Sequence, residues 1–238
     1  MKPGILISSV ITGCIILFGS QLTWAHQAGD ILLRVGAVTV SPNDDSGAVS
    51  NLPDGVNNAQ VEVDSNTQLG LTGAYMLTDH IGIELLAATP FSHEATGAGD
   101  IAGVKVGKTK DLPPTLSVQY YFGGKDWRVN PYVGVGVNAT IFFDEETDQE
   151  LINVLNTLPT IAALGGINSV DMDLDMSWGL AGQVGLDIAI TDNWLLNAAL
   201  WYIDIDTTAT LKTDLGTEHE VDVDIDPWVF FVAVAYRF

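Results

Sequence analysis

The sequence predicts an all-β protein: an eight-stranded antiparallel transmembrane β-barrel with short periplasmic turns and long extracellular loops. Eight segments of the 238-residue chain alternate large apolar residues with small or polar ones at every second position. The connections between these segments are short and long in turn, a layout typical of transmembrane barrels. After the N-terminal region, no segment has about 18 uninterrupted apolar residues, so no transmembrane helix is predicted.

The N-terminal region has the features of a secretory signal peptide. Lys2 supplies a positive charge, an apolar stretch follows over Ile5–Phe18, and small residues precede a cleavage point before His26. The predicted domains are therefore a signal peptide over residues 1–25 and a barrel over residues 26–238.

Composition excludes several classes of function. The chain has 9 Lys and Arg against 30 Asp and Glu, so a nucleic-acid partner is not expected. With 47% hydrophobic residues it is too apolar for an acidic disordered protein. Its only cysteine, Cys14, falls in the signal peptide, which removes disulfides and thiolate metal sites from consideration. Asp171, Asp173 and Asp175 lack the turn glycine of a calcium loop, and we predict no metal site and no cofactor.

The eight predicted strands can be placed in order along the chain. Their connections are short at Thr78–His80 and Thr191–Asn193 and long over residues 41–66, 90–114 and 144–176. The strand cores are Ile31–Val40, Thr67–Leu77, Ile81–Thr89, Thr115–Phe122, Tyr132–Phe142, Ser177–Ile190, Trp194–Thr207 and Val221–Phe238.

The last segment shows the alternation most clearly. Phe230, Val232, Val234, Tyr236 and Phe238 share one face, which we expect to contact lipid. A chain that ends in an aromatic residue preceded by apolar residues at alternate positions is similar to the C-terminal signal read by barrel assembly machinery. We therefore predict that Tyr236 and Phe238 belong to such an assembly signal.

Aromatic residues mark two presumed membrane interfaces. We place Trp127, Tyr132, Trp194, Tyr236 and Phe238 at the short-turn rim, and Phe142, Phe143, Trp178 and Trp228 at the other rim.

The seventh and eighth segments change character toward their outer ends. There the outward positions are acidic and the inward positions stay apolar, which predicts strands that project beyond the membrane around an apolar interior. The inward residues are Ile203, Ile205, Val223 and Ile225, and the outward ones are Asp204, Asp206, Asp222, Asp224 and Asp226. Leu86 and Trp201 are the candidates for a lumen constriction. The pattern alone leaves two interpretations open: a lumen that binds apolar solutes, or side chains that simply fill a closed barrel.

Two further segments carry hypotheses. Pro113 and Pro114 precede the fourth strand and cannot donate ladder hydrogen bonds, which predicts either a lateral gap in the wall or a strand that merely starts after them. Within Gln149–Leu158, apolar residues fall at helical spacing, which predicts either a short helix over the barrel mouth or an irregular surface loop.

Several runs of the sequence, spread over nearly all of the chain after residue 25, match one family pattern. These runs are Asn66–Thr72, Ile81–Phe91, Leu112–Leu116, Pro131–Asn138, Ser177–Asp187, Trp201–Ala209 and Asp226–Phe230, with the ending Tyr236–Phe238. In them the chain resembles the outer membrane protein W family. The resemblance implies an eight-stranded barrel with a narrow, largely apolar lumen that passes small hydrophobic molecules. The stretch Glu145–Val170 is longer than the family pattern, so the resemblance assigns that loop no role.

The predicted function is passage of small hydrophobic molecules through a monomeric barrel in the outer membrane of a Gram-negative cell. The expected partners are membrane lipid, lipopolysaccharide, the solutes themselves and the barrel assembly machinery. The alternatives are a structural or receptor barrel with a closed lumen and a lipid A-editing enzyme. The enzyme is disfavoured because Ser92, His93 and Glu94 form the one cluster that could hold a nucleophile, and sequence neighbours rarely supply triad geometry.

Overall fold

The protein is described by a computed structural model that covers residues 25–43, 59–124 and 126–238. The predicted signal peptide lies outside these residues except for Ala25. The predicted all-β fold is confirmed. Eight long strands form the barrel wall: β1 (Ile31–Ser41), β3 (Asn66–Met76), β4 (Ile81–Ala88), β7 (Thr115–Tyr121), β8 (Val129–Thr147), β10 (Ser177–Ala189), β11 (Trp194–Ile203) and β14 (Trp228–Arg237).

Antiparallel pairing closes the barrel. The strands run in the order β10-β11-β14-β1-β3-β4-β7-β8, and β8 pairs with β10 to complete the circle. The first and last strands of the wall are therefore neighbours, with Val35 opposite Val234. Closure leaves no free edge among these eight strands, as a hydrocarbon environment requires.

The two faces of the wall follow the predicted alternation. On β14 the exposed side chains are Phe230, Val232 and Val234, whereas Phe231 and Ala233 are buried. The same alternation separates exposed Val118 from buried Gln119 on β7. Because these exposed residues are large and apolar, the outside of the wall matches lipid rather than water.

The aromatic rims agree with the prediction except at Tyr132 and Phe142; Phe142 is half-buried and lines the interior of the barrel at its outer end. Trp127 and Trp194 are exposed near the short turns, and Trp178 and Trp228 are exposed toward the other end. Tyr132 was predicted at the interface, but it is 2% exposed and lies inside the barrel. It points inward because it shares the parity of the lumen-facing residues of β8.

Six shorter strands and two helices form the outer part of the molecule, in the loops predicted to be extracellular. Within the described residues, no helix is both long and apolar enough to cross a membrane. These elements are β2 (Ala59–Val63), β5 (Phe91–Gly99), β6 (Lys105–Leu112), α1 (Gln149–Leu155), α2 (Pro159–Ala163), β9 (Val170–Leu174), β12 (Asp206–Thr213) and β13 (Glu218–Asp224).

The seventh and eighth predicted strands are each interrupted where they leave the barrel. One interruption separates β11 from β12, and the other separates β13 from β14. At the second interruption, Asp226 adopts a left-handed φ of 39° and Pro227 has no amide hydrogen. The Asp226 carboxylate accepts hydrogen bonds from the Ile205 amide at 3.1 Å and the Tyr202 hydroxyl at 3.0 Å. Strands β12, β13 and β9 then form a separate three-stranded sheet.

The segment with helical spacing does form a helix. Helix α1 begins after Asp148, whose carboxylate accepts a hydrogen bond from the Glu150 amide at 2.9 Å. Its buried residue Leu151 lines the cavity at the barrel mouth, and Ile152 packs against Ile167. The third long loop therefore packs over the barrel mouth and is not an irregular surface loop.

Candidate functional site

An apolar cavity of about 540 Å³ occupies the outer end of the barrel. Its walls come from the inward faces of the extracellular strands, and its cover comes from α1 and α2. The predicted lumen residues Ile203, Ile205, Val223 and Ile225 all line this cavity. Of these, Ile203 and Ile205 are buried, while Val223 and Ile225 are half-buried.

Leu86 and Trp201 lie below the cavity, on the side toward the short turns. Trp201 precedes the cavity-lining Ile203 by two residues along β11, and its ring lies 6.1 Å from that of Phe231. Leu86 and Trp201 are 4% and 1% exposed and belong to one apolar cluster. They form part of a packed layer under the cavity rather than its lining, so their role as a constriction stays a prediction.

Below that layer, a charged cluster fills the inner half of the barrel. Arg34 donates from Nη1 to Glu84 at 2.6 Å and from Nη2 to Asp187 at 2.8 Å. His26 also contacts the Asp187 carboxylate, at 3.0 Å. Each charged group has a partner of opposite sign, as burial requires. The expectation of a largely apolar lumen is therefore wrong for this inner half.

Amide and hydroxyl side chains complete the cluster around Glu84. Gln119 and Gln183 each donate to Glu84 Oε1, at 2.8 and 2.9 Å. The Tyr121 hydroxyl accepts from Arg34 at 2.9 Å. These side chains are all buried and hydrogen-bonded to one another across the barrel interior, and we refer to the whole set as the inner plug.

Sequence reasoning did not identify the inner plug. Gln119, Gln183 and Asp187 alternate with large apolar residues, which places them on the inner face, but nothing in the sequence joins them to Arg34. One signal was available: Arg34 and Glu84 lie at mid-strand positions, where an outward charge would cost roughly 2–4 kcal/mol for Arg and somewhat less for Glu. A charge there must face the lumen and needs a partner of opposite sign.

The wall beside Pro113 and Pro114 is interrupted on one side only. Toward β8 it is sealed, because the Ala139 amide donates to the Pro114 carbonyl oxygen at 3.1 Å. Toward β4 and β5, the ladder between β4 and β7 ends at the pair Leu86–Thr115. The ladder between β5 and β6 begins at the pair Phe91–Asp111. In this part of the described chain, no ladder pair joins the two ladders.

A third proline borders the same interruption. Pro90 follows β4 on the opposite side of the gap, so prolines flank it on both strands. Proline has no amide hydrogen and cannot complete a ladder across the gap. Pro113 lines the cavity, and the interruption therefore lies directly beside it. Sequence reasoning singled out Pro113 and Pro114 and missed Pro90, and passage of a solute through this interruption stays a prediction.

One ionisable pair lies in the apolar cavity wall. His93 Nε2 lies 3.5 Å from Asp111 Oδ1, and each residue is 6% exposed. Both belong to the extracellular strands β5 and β6. Burial raises the pKa of Asp111 to about 6, and the nearby His93 opposes that shift. Ser92 and Glu94 alternate to the other face of β5, so the predicted neighbours of His93 do not join it in one site.

An acidic group lies on the outside of the wall. Carboxylate oxygens of Asp204, Asp206 and Asp226 lie within 4.8 Å of one another, near the break between β11 and β12. Asp226 already accepts two hydrogen bonds from Ile205 and Tyr202. These three residues confirm the predicted acidic outer face, and they lie apart from the cavity.

The C-terminal aromatic residues are positioned at the inner rim. Tyr236 packs edge-on against Trp194, with ring centroids 5.0 Å apart, and against Phe238 at 4.6 Å. Phe238 is 66% exposed and donates its amide hydrogen to the Ile31 carbonyl oxygen. The proposed assembly signal is thus an outward-facing aromatic edge, and recognition by assembly machinery stays a prediction.

A closed barrel with an apolar outer band between two aromatic rims defines an integral outer-membrane protein of Gram-negative bacteria. The chain belongs to the OmpW family, whose model matches residues 27–238. It is 44% identical to outer membrane protein W of Vibrio cholerae over 98% of this chain and the whole of that protein.

Two further relatives extend the comparison. The crystal structure of outer membrane protein OprG from Pseudomonas aeruginosa matches with a TM-score of 0.75 and 41% identity, over 90% of this chain and 98% of that one. The dibenzothiophene metabolism operon protein PahQ of Pseudomonas aeruginosa is 26% identical over 91% of this chain and 92% of that protein.

Proposed function

We propose that the protein passes small apolar molecules from the cell exterior into the outer membrane. A solute enters the apolar cavity, then leaves sideways through the interruption beside Pro113 and Pro114. The protein works as a monomer, by partition alone, without a cofactor or a covalent step. The observation that carries the proposal is a cavity of about 540 Å³ lined by side chains such as Ile203, Ile205 and Ile225.

The lateral route follows from what lies below the cavity. An apolar solute that continued inward would have to displace Leu86 and Trp201 and then separate Arg34 from Glu84 and Asp187. Breaking such buried ion pairs costs several kcal/mol each. The neighbouring gap has no ladder hydrogen bonds to break, so it is the path of lower free energy.

Partition supplies the driving force. Removing apolar area from water gains on the order of 25 cal/mol per Å². A solute that moves from the cavity directly into lipid keeps that gain, because it does not return to water between the two. A gap at the level of the membrane surface therefore lets the solute enter lipid without a second hydration step.

One relative supports an apolar solute. PahQ is named for an operon of dibenzothiophene metabolism, and dibenzothiophene is a fused aromatic compound of low polarity. Such a molecule matches the apolar lining of the cavity better than an ion or a sugar.

Uptake by whole cells tests the proposal. Cells that express the protein should accumulate radiolabelled naphthalene several-fold faster than cells that lack it. Ile205→Lys places a cation in the cavity and should remove most of that gain, since a lone cation in an apolar site is strongly disfavoured. Thr208→Lys adds the same charge on the outer face of β12 and serves as the matched control.

Equal uptake by cells with and without the protein would overturn the proposal. It would favour the second candidate, a structural or receptor barrel, which the filled inner plug already makes physically reasonable. A lipid A-editing activity is not favoured, because His93 has Asp111 as its neighbour while Ser92 alternates to the other face of β5.

A further inference from the structure

The largely apolar wall of the cavity contains a buried polar site at Asp111. Asp111 Oδ1 is buried and has no hydrogen-bond partner among the described residues. The basic ring nitrogen that faces this oxygen, His93 Nε2, is 3.5 Å away, beyond the usual range for a hydrogen bond. A buried carboxylate oxygen without a donor is unfavourable, so this atom can accept a hydrogen bond from a molecule in the cavity.

The histidine cannot fill that need while it is neutral. Its Nδ1 lies 2.7 Å from the backbone carbonyl oxygen of Asp64, and a hydrogen bond to a carbonyl requires a proton on Nδ1. The neutral ring then presents the lone pair of Nε2 toward Asp111, and two acceptors face each other. Asp64 Oδ1 is the other nearby charged group, 3.9 Å from Nδ1.

The pair lies where a departing solute would pass. Asp111, near the end of β6, and Pro113, which follows that strand, are both buried and both line the cavity. Asp111 pairs with Phe91 at the outer border of the gap and with Phe142 on the other side. Phe142 lines the cavity, so a molecule held against its ring would bring a terminal polar group within reach of Asp111.

We propose that Asp111, with His93, makes the cavity selective for apolar molecules that bear one hydrogen-bond donor, such as phenols and alcohols. The hydroxyl donates to Asp111 Oδ1, and the apolar remainder contacts Phe142 and Ile205. This inference rests on the proposed function, because it takes the cavity to be the solute site.

A pure hydrocarbon is the poorer ligand for a physical reason. It displaces water from the cavity and leaves Asp111 without any donor, whereas a hydroxyl replaces the hydrogen bond that water would provide. A hydrogen bond to a charged group is among the stronger ones. We therefore expect a preference of about tenfold for the hydroxyl compound.

Two ligands of nearly equal shape test this selectivity. The protein in phosphatidylcholine nanodiscs is equilibrated with 2-naphthol or 2-methylnaphthalene at neutral pH, and binding to empty nanodiscs is subtracted. The wild type should favour 2-naphthol about tenfold. Asp111→Leu should abolish the preference, while Asp173→Leu, which removes an exposed carboxylate of the extracellular sheet, should keep it.

The outcomes separate the two proposals. Saturable binding of both ligands with no preference, or a preference that survives Asp111→Leu, overturns the selectivity and leaves the proposed function intact. No saturable binding of either ligand overturns both. If Asp111→Leu does not fold, Asp111→Asn keeps the shape but offers only a neutral acceptor, and it should lower the preference by about threefold.

Discussion

The inner plug predicts a large and specific loss of stability when one carboxylate becomes an amide. Glu84→Gln keeps the size of the side chain and removes its charge. Glu84 accepts from Arg34 at 2.6 Å, from Gln119 at 2.8 Å and from Gln183 at 2.9 Å, all in the barrel interior. The amide nitrogen of the new glutamine would face at least one of these donors with a donor of its own.

The magnitude follows from the burial of the pair. Removing one partner of a buried ion pair costs about 3–5 kcal/mol, since the other charge is left poorly compensated. Arg34 keeps Asp187 at 2.8 Å, which places the expected loss near the lower end of that range. The free energy of unfolding should therefore fall by about 3 kcal/mol.

Urea unfolding of the barrel in short-chain phosphatidylcholine vesicles, followed by tryptophan fluorescence, measures this loss. Glu146→Gln is the matched control, because Glu146 pairs with Lys108 at 2.9 Å on the exposed surface. That exposed pair should contribute little, because solvent screens the two charges. Equal, small losses in the two variants would refute the inner plug as a stabilising charged core.

Three further predictions concern the cavity and its surroundings. Trp201→Ala should lower the free energy of unfolding by about 3–5 kcal/mol in the same titration, because the indole is 1% exposed in the packed layer; a loss below about 1 kcal/mol would contradict that packing. Replacing Pro113 and Pro114 together by valine restores two ladder donors and should slow naphthalene uptake several-fold, whereas Pro131→Val should not; equal uptake in all three proteins would exclude the lateral route. Burial raises the pKa of Asp111 to about 6, so the protonated carboxyl stabilises the fold below about pH 4 and that contribution is lost as pH rises through 6. Asp111→Asn should remove this part of the pH dependence of the free energy of unfolding. The same pH dependence in wild type and variant would contradict the prediction.

The alternation of residues was sufficient to predict the wall of the barrel. Lipid selects large apolar side chains on one face, so Val232 and Ala233 could be assigned to opposite sides from sequence alone. The same parity argument placed Ile205 inside and Asp206 outside beyond the membrane. These assignments need only the period of a strand, and they do not depend on which strands are neighbours.

The inner plug and the gap depend on tertiary register, which the sequence does not display. Arg34 and Asp187 are separated by 153 positions, and only closure of the barrel brings them together. The pairing of His93 with Asp111 likewise requires strands β5 and β6, whose charged and glycine-containing segments show weak alternation. The break at Asp226 depends on a left-handed backbone conformation that a short polar side chain tolerates but does not dictate.

The position of a bound apolar solute tests the central claim most directly. Crystals grown with 2-bromonaphthalene would locate the bromine atom through its anomalous scattering. Our account predicts the bromine in the outer cavity, between Ile205 and Pro113, above the layer that contains Trp201. Bromine beside Arg34 inside the barrel, or found solely on the lipid-facing surface, would contradict it.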